Sequence, residues 1–231
     1  MIKISYADLP ADDEPLARGF LAEPGIPGQY PGVILIHGIW GLTDQVKGLC
    51  RRLATKYYIA LAPDLFSGKT AATPEEGLSI YREVPESRML ATLNAAYHCL
   101  ANKPNGTGKV GSVGYGVGGT LSLQVAIRNP KLNAAVVYYG HNPNPLDKVA
   151  KIQCPILGSY SGDDKNVPPS SVRELEESLR RHGKQFDIKT YPNTPHGFAN
   201  ETRFEYRHLE TINAWIRMMD FLRNNLKEES A

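Results

Sequence analysis

Cysteine is scarce in this chain. Cys50, Cys99 and Cys154 are scattered through 231 residues, an odd count with no C-x-x-C pair. That excludes a disulfide scaffold and a cysteine zinc site, and it points to a reducing, cytoplasmic compartment. Long hydrophobic runs are missing too. Stretches such as Val33-Ile34-Leu35-Ile36 fall far short of the roughly 20 residues a membrane span needs. The opening Met-Ile-Lys-Ile-Ser-Tyr-Ala-Asp lacks the apolar core of a signal peptide. Nor is there an excess of one charge: 26 Lys and Arg against 24 Asp and Glu leave a net charge of +2. A surface that tracks phosphates usually shows a clear basic excess, so nucleic acid is not an expected partner. What remains is ordinary globular composition, 42% apolar and 22% charged, with no linker or repeat. One domain over residues 1–231 is expected.

Short β-rich runs alternate with longer segments of helical period. Strands are expected at 33–36, 58–62, 109–113, 134–139, 155–160 and 186–191. Helices are expected at 42–57 with Thr43 as N-cap, and at 86–100, 118–128, 169–181 and 209–226. The last of these should bury Ile212, Trp215, Ile216, Met219 and Leu222. Segments 2–6 and 17–22 have no helix between them and should form an antiparallel edge. Residues 66–73 read as a loop. Strand–helix alternation of this kind implies an α/β fold, a mostly parallel sheet with helices on both faces.

The most specific segment is Lys109-Val110-Gly111-Ser112-Val113-Gly114-Tyr115-Gly116-Val117-Gly118-Gly119-Thr120. It reads as a strand, a tight glycine-rich turn and a helix, the layout of a nucleophile elbow. In such an elbow the central residue is held in a strained backbone conformation that aims its side chain at the reacting carbon. The N–H of the next residue, Val117, lies at the helix N-terminus and can stabilise an oxyanion. Here the central residue is Gly116, which carries no nucleophile. A turn that binds an anion or merely packs tightly therefore stays open. Gly114-x-Gly116-x-x-Gly119 also matches a dinucleotide fingerprint, but residues 133–139 contain no Asp or Glu to hold a ribose about 20 residues on.

Two later segments bear on the choice. Ser161-Gly162-Asp163-Asp164-Lys165-Asn166-Val167-Pro168 follows the strand at 155–160, and Pro192-Asn193-Thr194-Pro195-His196-Gly197-Phe198 follows the strand at 186–191. Each is weak alone, since Asp favours turns and His before Gly is common in loops. Together they give the order elbow, acid, base of an α/β-hydrolase.

With His37-Gly38-Ile39-Trp40-Gly41, Ala62-Pro63-Asp64-Leu65, Tyr138-Tyr139-Gly140 and His196-Gly197-Phe198-Ala199, the chain from about Arg18 to Leu226 resembles the dienelactone hydrolase family of α/β-hydrolases. The resemblance implies hydrolysis of a small ester or lactone with no metal and no cofactor. It implies Asp164 as the acid, His196 as the base, and the N–H groups of Ile39 and Val117 as oxyanion donors. Three positions depart from the family. Gly116 stands where the family has its nucleophile, usually Cys. Gly38 stands where many members carry a Glu that helps ionise that Cys. Asn200 stands where members acting on dienelactone have an Arg that grips the substrate carboxylate. Turnover is therefore expected to be impaired, whether the nucleophile was lost naturally or by substitution. A catalytically silent binding protein on the same fold is the rival reading.

The candidate substrate-binding set is His37, Trp40, Tyr115, His141 and Phe198. His37 is also placed to orient its loop by hydrogen bonding, while Trp40 and Phe198 could equally be core. Tyr115 should point away from the site by strand alternation. His141 lies past a strand's carboxyl end, where α/β sites gather. The partner expected is a small molecule, and monomer and dimer both stay open.

Overall fold

A computed structural model describes residues 1–10 and 17–227. Two compact units emerge, Met1–Ser112 and Val113–Ala231. Eight strands of one sheet run through them.

In the first unit the strands are β1 (Ile2–Leu9), β2 (Ala17–Pro24), β3 (Tyr30–Ile36), β4 (Ile59–Pro63) and most of β5 (Gly106–Tyr115), in the spatial order β1-β2-β4-β3-β5. The expected antiparallel edge is present: β1 pairs with β2, and β2 pairs with β4, both antiparallel. β3 and β4 are parallel, with Val33 opposite Ala60. All their residues are buried. That is why they read as unbroken apolar runs and not as alternating strands. Helices α1 (Asp44–Ala54), α2 (Pro74–Glu83) and α3 (Glu86–Ala101) complete the unit.

Two expectations change here. The first helix stops at Ala54 and not at 57, because Tyr57 takes a left-handed φ of 65° that no helix continues through. Helix α2 had no counterpart in the sequence reading. It is fixed by a reciprocal cap, in which the Glu76 N–H donates to Thr73 Oγ1 and the Ala72 N–H donates to Glu76 Oε2. Pro74 pre-sets its first turn.

The second unit holds the end of β5, then β6 (Ala134–Tyr138), β7 (Ile156–Ser161) and β8 (Phe186–Tyr191) in that spatial order. β6, β7 and β8 pair in parallel. Helix α4 (Val117–Arg128) follows β5 directly. Helices α5 (Pro169–Arg181) and α6 (His208–Leu226) lie further along, and a short 3-10 helix spans Leu146–Lys151. α6 buries Ala214, Trp215, Met218, Leu222 and Leu226. Of the face expected from sequence, Trp215 and Leu222 are buried but Ile212 and Ile216 are exposed. The apolar residues of this helix cover more than one face, so periodicity alone could not select the buried one. Among the described residues no helix is long and apolar enough to cross a membrane.

Candidate active site

The elbow is built by backbone contacts that only glycine permits. Gly116 sits between β5 and α4 with φ 57° and ψ −120°, in the left-handed half of conformational space that side chains avoid. Its N–H donates to the Tyr138 carbonyl at 3.0 Å, and its carbonyl accepts the Thr120 N–H at 3.1 Å. A Cβ on Gly114 would collide with the backbone of Gly118, and one on Gly119 would lie 2.7 Å from the Tyr138 carbonyl. The helix therefore approaches both strands more closely than any side chain would allow. The Val117 N–H is a first-turn donor with no intrahelical acceptor.

Two loops carry Asp164 and His196, the candidate acid and base, and they are stitched together. The Gly162 N–H donates to the Tyr191 carbonyl at 2.7 Å, and the Asp163 N–H donates to the Thr194 carbonyl at 3.0 Å. Buried Thr194 accepts a second bond from Gly162 and donates its hydroxyl to Tyr191. On this frame, Asp164 is fully buried at its side chain. Its Oδ1 accepts the N–H groups of Asn166 and Val167 at 2.8 and 2.9 Å, and its Oδ2 faces His196 Nδ1 at 2.8 Å. The two backbone N–H donors hold this carboxylate in a fixed orientation. It fixes the proton of His196 on Nδ1 and leaves the Nε2 lone pair available.

His196 is 32% exposed at its side chain. A Cβ on Gly116 would stand 3.8 Å from His196 Nε2, an ordinary contact distance. Gly116, His196 and Asp164 thus form one connected line within the second unit.

Tyr139 packs against His196 and was not singled out as a site residue from sequence. Its ring lies 5.0 Å from the His196 ring, edge-on. It has a left-handed φ of 40°, and its hydroxyl is hydrogen-bonded to the Ala199 backbone. Burial pushes its phenol pKa well above the usual value, so it stays neutral. The only sequence signal was the Tyr138-Tyr139-Gly140 run at the end of β6.

The candidate substrate-binding residues scatter. Phe198 is fully buried, packed 5.6 Å from Tyr139 and 5.1 Å from Tyr191. This places it in the core behind the base and gives it no face for a substrate. Tyr115 is half-buried and stacks on Tyr138 at 4.5 Å. His141 is exposed, with its N–H donated to Thr120 Oγ1.

In the first unit, Ile39 and Trp40 are half-buried in the turn after β3. His37 is 1% exposed. Its Nε2 accepts the Leu65 N–H at 3.1 Å, which leaves Nδ1 to donate to the Gly38 carbonyl at 2.8 Å. Gly38 also accepts the Gly41 N–H. Pinning this carbonyl fixes the plane of the Gly38–Ile39 peptide and hence the direction of the Ile39 N–H, because the two groups of a trans peptide point oppositely.

The sequence profile of the dienelactone hydrolase family matches residues 17–226. A protein of Saccharolobus solfataricus that carries the provisional name carboxymethylenebutenolidase is 31% identical, over 89% of this chain and 93% of its own length. A protein of Aquifex pyrophilus named usf is 30% identical, over 90% of this chain and 94% of its own. A crystal structure of a provisionally named dienelactone hydrolase from Klebsiella pneumoniae superposes with a TM-score of 0.87 at 26% identity, covering 96% of this chain and 98% of that one. The eight-stranded, mostly parallel sheet with its helices is the α/β-hydrolase fold, and the chain belongs to the dienelactone hydrolase family.

Proposed function

We propose that this chain binds small carboxylic esters or lactones and hydrolyses them weakly, with a water molecule in place of the family's side-chain nucleophile. The observation that carries this reading is the position of His196. Its Nδ1 is committed to Asp164 and its Nε2 faces Gly116, where nothing but hydrogen projects from the backbone. In this mechanism water attacks the carbonyl carbon as Nε2 takes its proton. Asp164 stabilises the imidazolium that forms. The Val117 N–H meets the developing oxyanion, and the family pattern assigns the second donor to Ile39. The intermediate then expels its alkoxide, which recovers the proton from His196, giving acid and alcohol. A site without its nucleophile keeps roughly 10³–10⁴-fold catalysis over water.

The alternative, a silent binding protein on the same fold, is favoured by one observation, glycine at the elbow. Hydrolysis of p-nitrophenyl acetate separates the two. Gly116→Cys and Gly116→Ser are expected to raise the rate by roughly 10³-fold or more, and His196→Ala should abolish the gain. If no variant turns over while all remain folded, the binding reading replaces ours.

A further inference from the structure

Helix α6 has two apolar faces, and the fold of the chain covers one of them. Ala214, Trp215, Met218, Leu222 and Leu226 are buried. Elsewhere on the helix Leu209, Ile212 and Ile216 are 74%, 40% and 53% exposed, and Met219 is half-buried. Phe204, in the loop just before the helix, is 94% exposed. Single apolar residues on a surface need no explanation, but a continuous stripe of them marks a contact surface.

The spacing says what kind of contact. Leu209, Ile212, Ile216 and Met219 are three, four and three residues apart, the a/d pattern of a coiled-coil seam. Between Leu209 and Met219 the exposed residues are Ile212, Asn213 and Ile216, none of them charged. The polar one, Asn213, has its carbonyl oxygen satisfied inside the chain, by Lys189 Nζ at 3.0 Å and by the Tyr191 hydroxyl at 2.9 Å. It can be covered without stranding that acceptor. Arg217, beside the seam, is held by Asp187 at 2.7 Å.

The two ends of the seam carry opposite charges. Glu205 precedes the helix, and Arg223 lies in its last turn. Turning a second copy antiparallel about position 214 sets Ile212 against Ile216, Leu209 against Met219 and His208 against Asp220. It also brings Arg223 to the loop that carries Glu205 and Phe204, where a guanidinium finds a carboxylate and an aromatic ring. Arg223 touches Asp220 of its own helix at 2.8 Å, and its five N–H donors can serve a second carboxylate. A parallel pair would set Asp220 on Asp220 and Arg223 on Arg223, which disfavours it.

We propose that this face is the interface of a symmetric dimer, with α6 of one copy packed antiparallel on α6 of a second. The helix has 19 residues, which makes it about 28 Å long and about 10 Å wide. With Phe204 beyond its end, the strip covers roughly 500 Å² of each copy, near the lower limit of about 1,000 Å² in total for a specific interface. The dimer is therefore weak and reversible.

Sedimentation velocity of the full chain over about 1–500 μM tests this. A monomer–dimer equilibrium is expected, half-dissociated on the order of 10–100 μM. Leu209→Lys/Ile216→Lys, both at exposed positions, should leave the chain folded and monomeric throughout. Glu205→Arg and Arg223→Glu should each weaken the dimer several-fold, and the two together should restore it. A chain monomeric over the whole range overturns the proposal, and binding to phosphatidylcholine vesicles through the same residues would then assign the face to a membrane. A dimer that survives the lysine pair also overturns it, because the interface then lies elsewhere. No recovery in the charge-swapped double variant would overturn the antiparallel pairing.

Discussion

His37 and His196 follow the ends of their strands in similar sequence settings, each before a glycine, yet they sit in opposite physical states. His37 is buried, and both ring nitrogens are spent inside the protein, one accepting from Leu65 and one donating to Gly38. Burial pushes its pKa down, against smaller upward effects from the Gly38 carbonyl and Asp64. It is neutral with one fixed tautomer, which is what a positioning residue needs. His196 is a third exposed, and only Nδ1 is engaged, by Asp164. A base needs one committed nitrogen and one free one. On the proposed reading, the number of ring nitrogens the fold consumes separates the two histidines, where the motif around them does not.

The sharpest way to break this comparison is to remove the partner of His196, and separately to replace His37, in a protein with a restored nucleophile. In the Gly116→Cys background, Asp164→Asn should lower esterase activity by roughly 10⁴-fold, as expected when a triad acid no longer holds the tautomer. His37→Asn in the same background should cost far less, on the order of tenfold, through a looser oxyanion loop. Equal losses would erase the distinction between base and positioning residue.

Stability should reverse that order. His37→Leu leaves the buried Leu65 N–H without its acceptor and should cost about 1–3 kcal/mol. His196→Ala removes the partner of Asp164 Oδ2, but the ring it removes is a third exposed, so water can take its place and the cost should be about 1 kcal/mol or less. Thermal or urea unfolding gives both values. A larger loss at 196 than at 37 would contradict the burial argument.

A smaller effect lies in pH. The folded state lowers the His37 pKa below 6.5, so below that value the unfolded chain binds a proton the folded chain does not. The contribution of His37 is therefore complete above pH 6.5 and is lost as pH falls towards the lowered folded value. The stability gap between the parent and His37→Leu should narrow between pH 7 and pH 5. A gap that widened over this range would mean that His37 is charged in the fold.

Much of this was legible in the sequence. Buried strands such as β3 and β6 announced themselves as continuous apolar runs, and glycine clustering located the elbow. Asp164 and His196 were singled out by their order beyond successive strands, and the structure brings their side chains within 2.8 Å of each other. The misses share one cause: a local pattern was ignored, or a periodic one was ambiguous. The Thr73-Pro74-Glu75-Glu76 start signal of α2 is present in the sequence, just past the loop expected at 66–73, yet no helix was expected there. Helix α6 carries apolar residues on more than one face, so tertiary packing alone decided that Met218 goes in and Ile216 stays out. Phe198 and Tyr139 illustrate the limit within the site. Both are aromatic residues near the base, and only packing shows that one backs the core while the other faces the imidazole.

The central claim is that the acid and base are in place and that only the side chain at position 116 is missing. Intact-mass and peptide analysis after brief exposure to p-nitrophenyl acetate and acid quenching tests it directly. The account predicts one acetyl group on the peptide spanning position 116 in Gly116→Cys, and none there in the parent or in Gly116→Cys/His196→Ala. Acetylation elsewhere in Gly116→Cys, with position 116 unmodified and the protein folded, would contradict it.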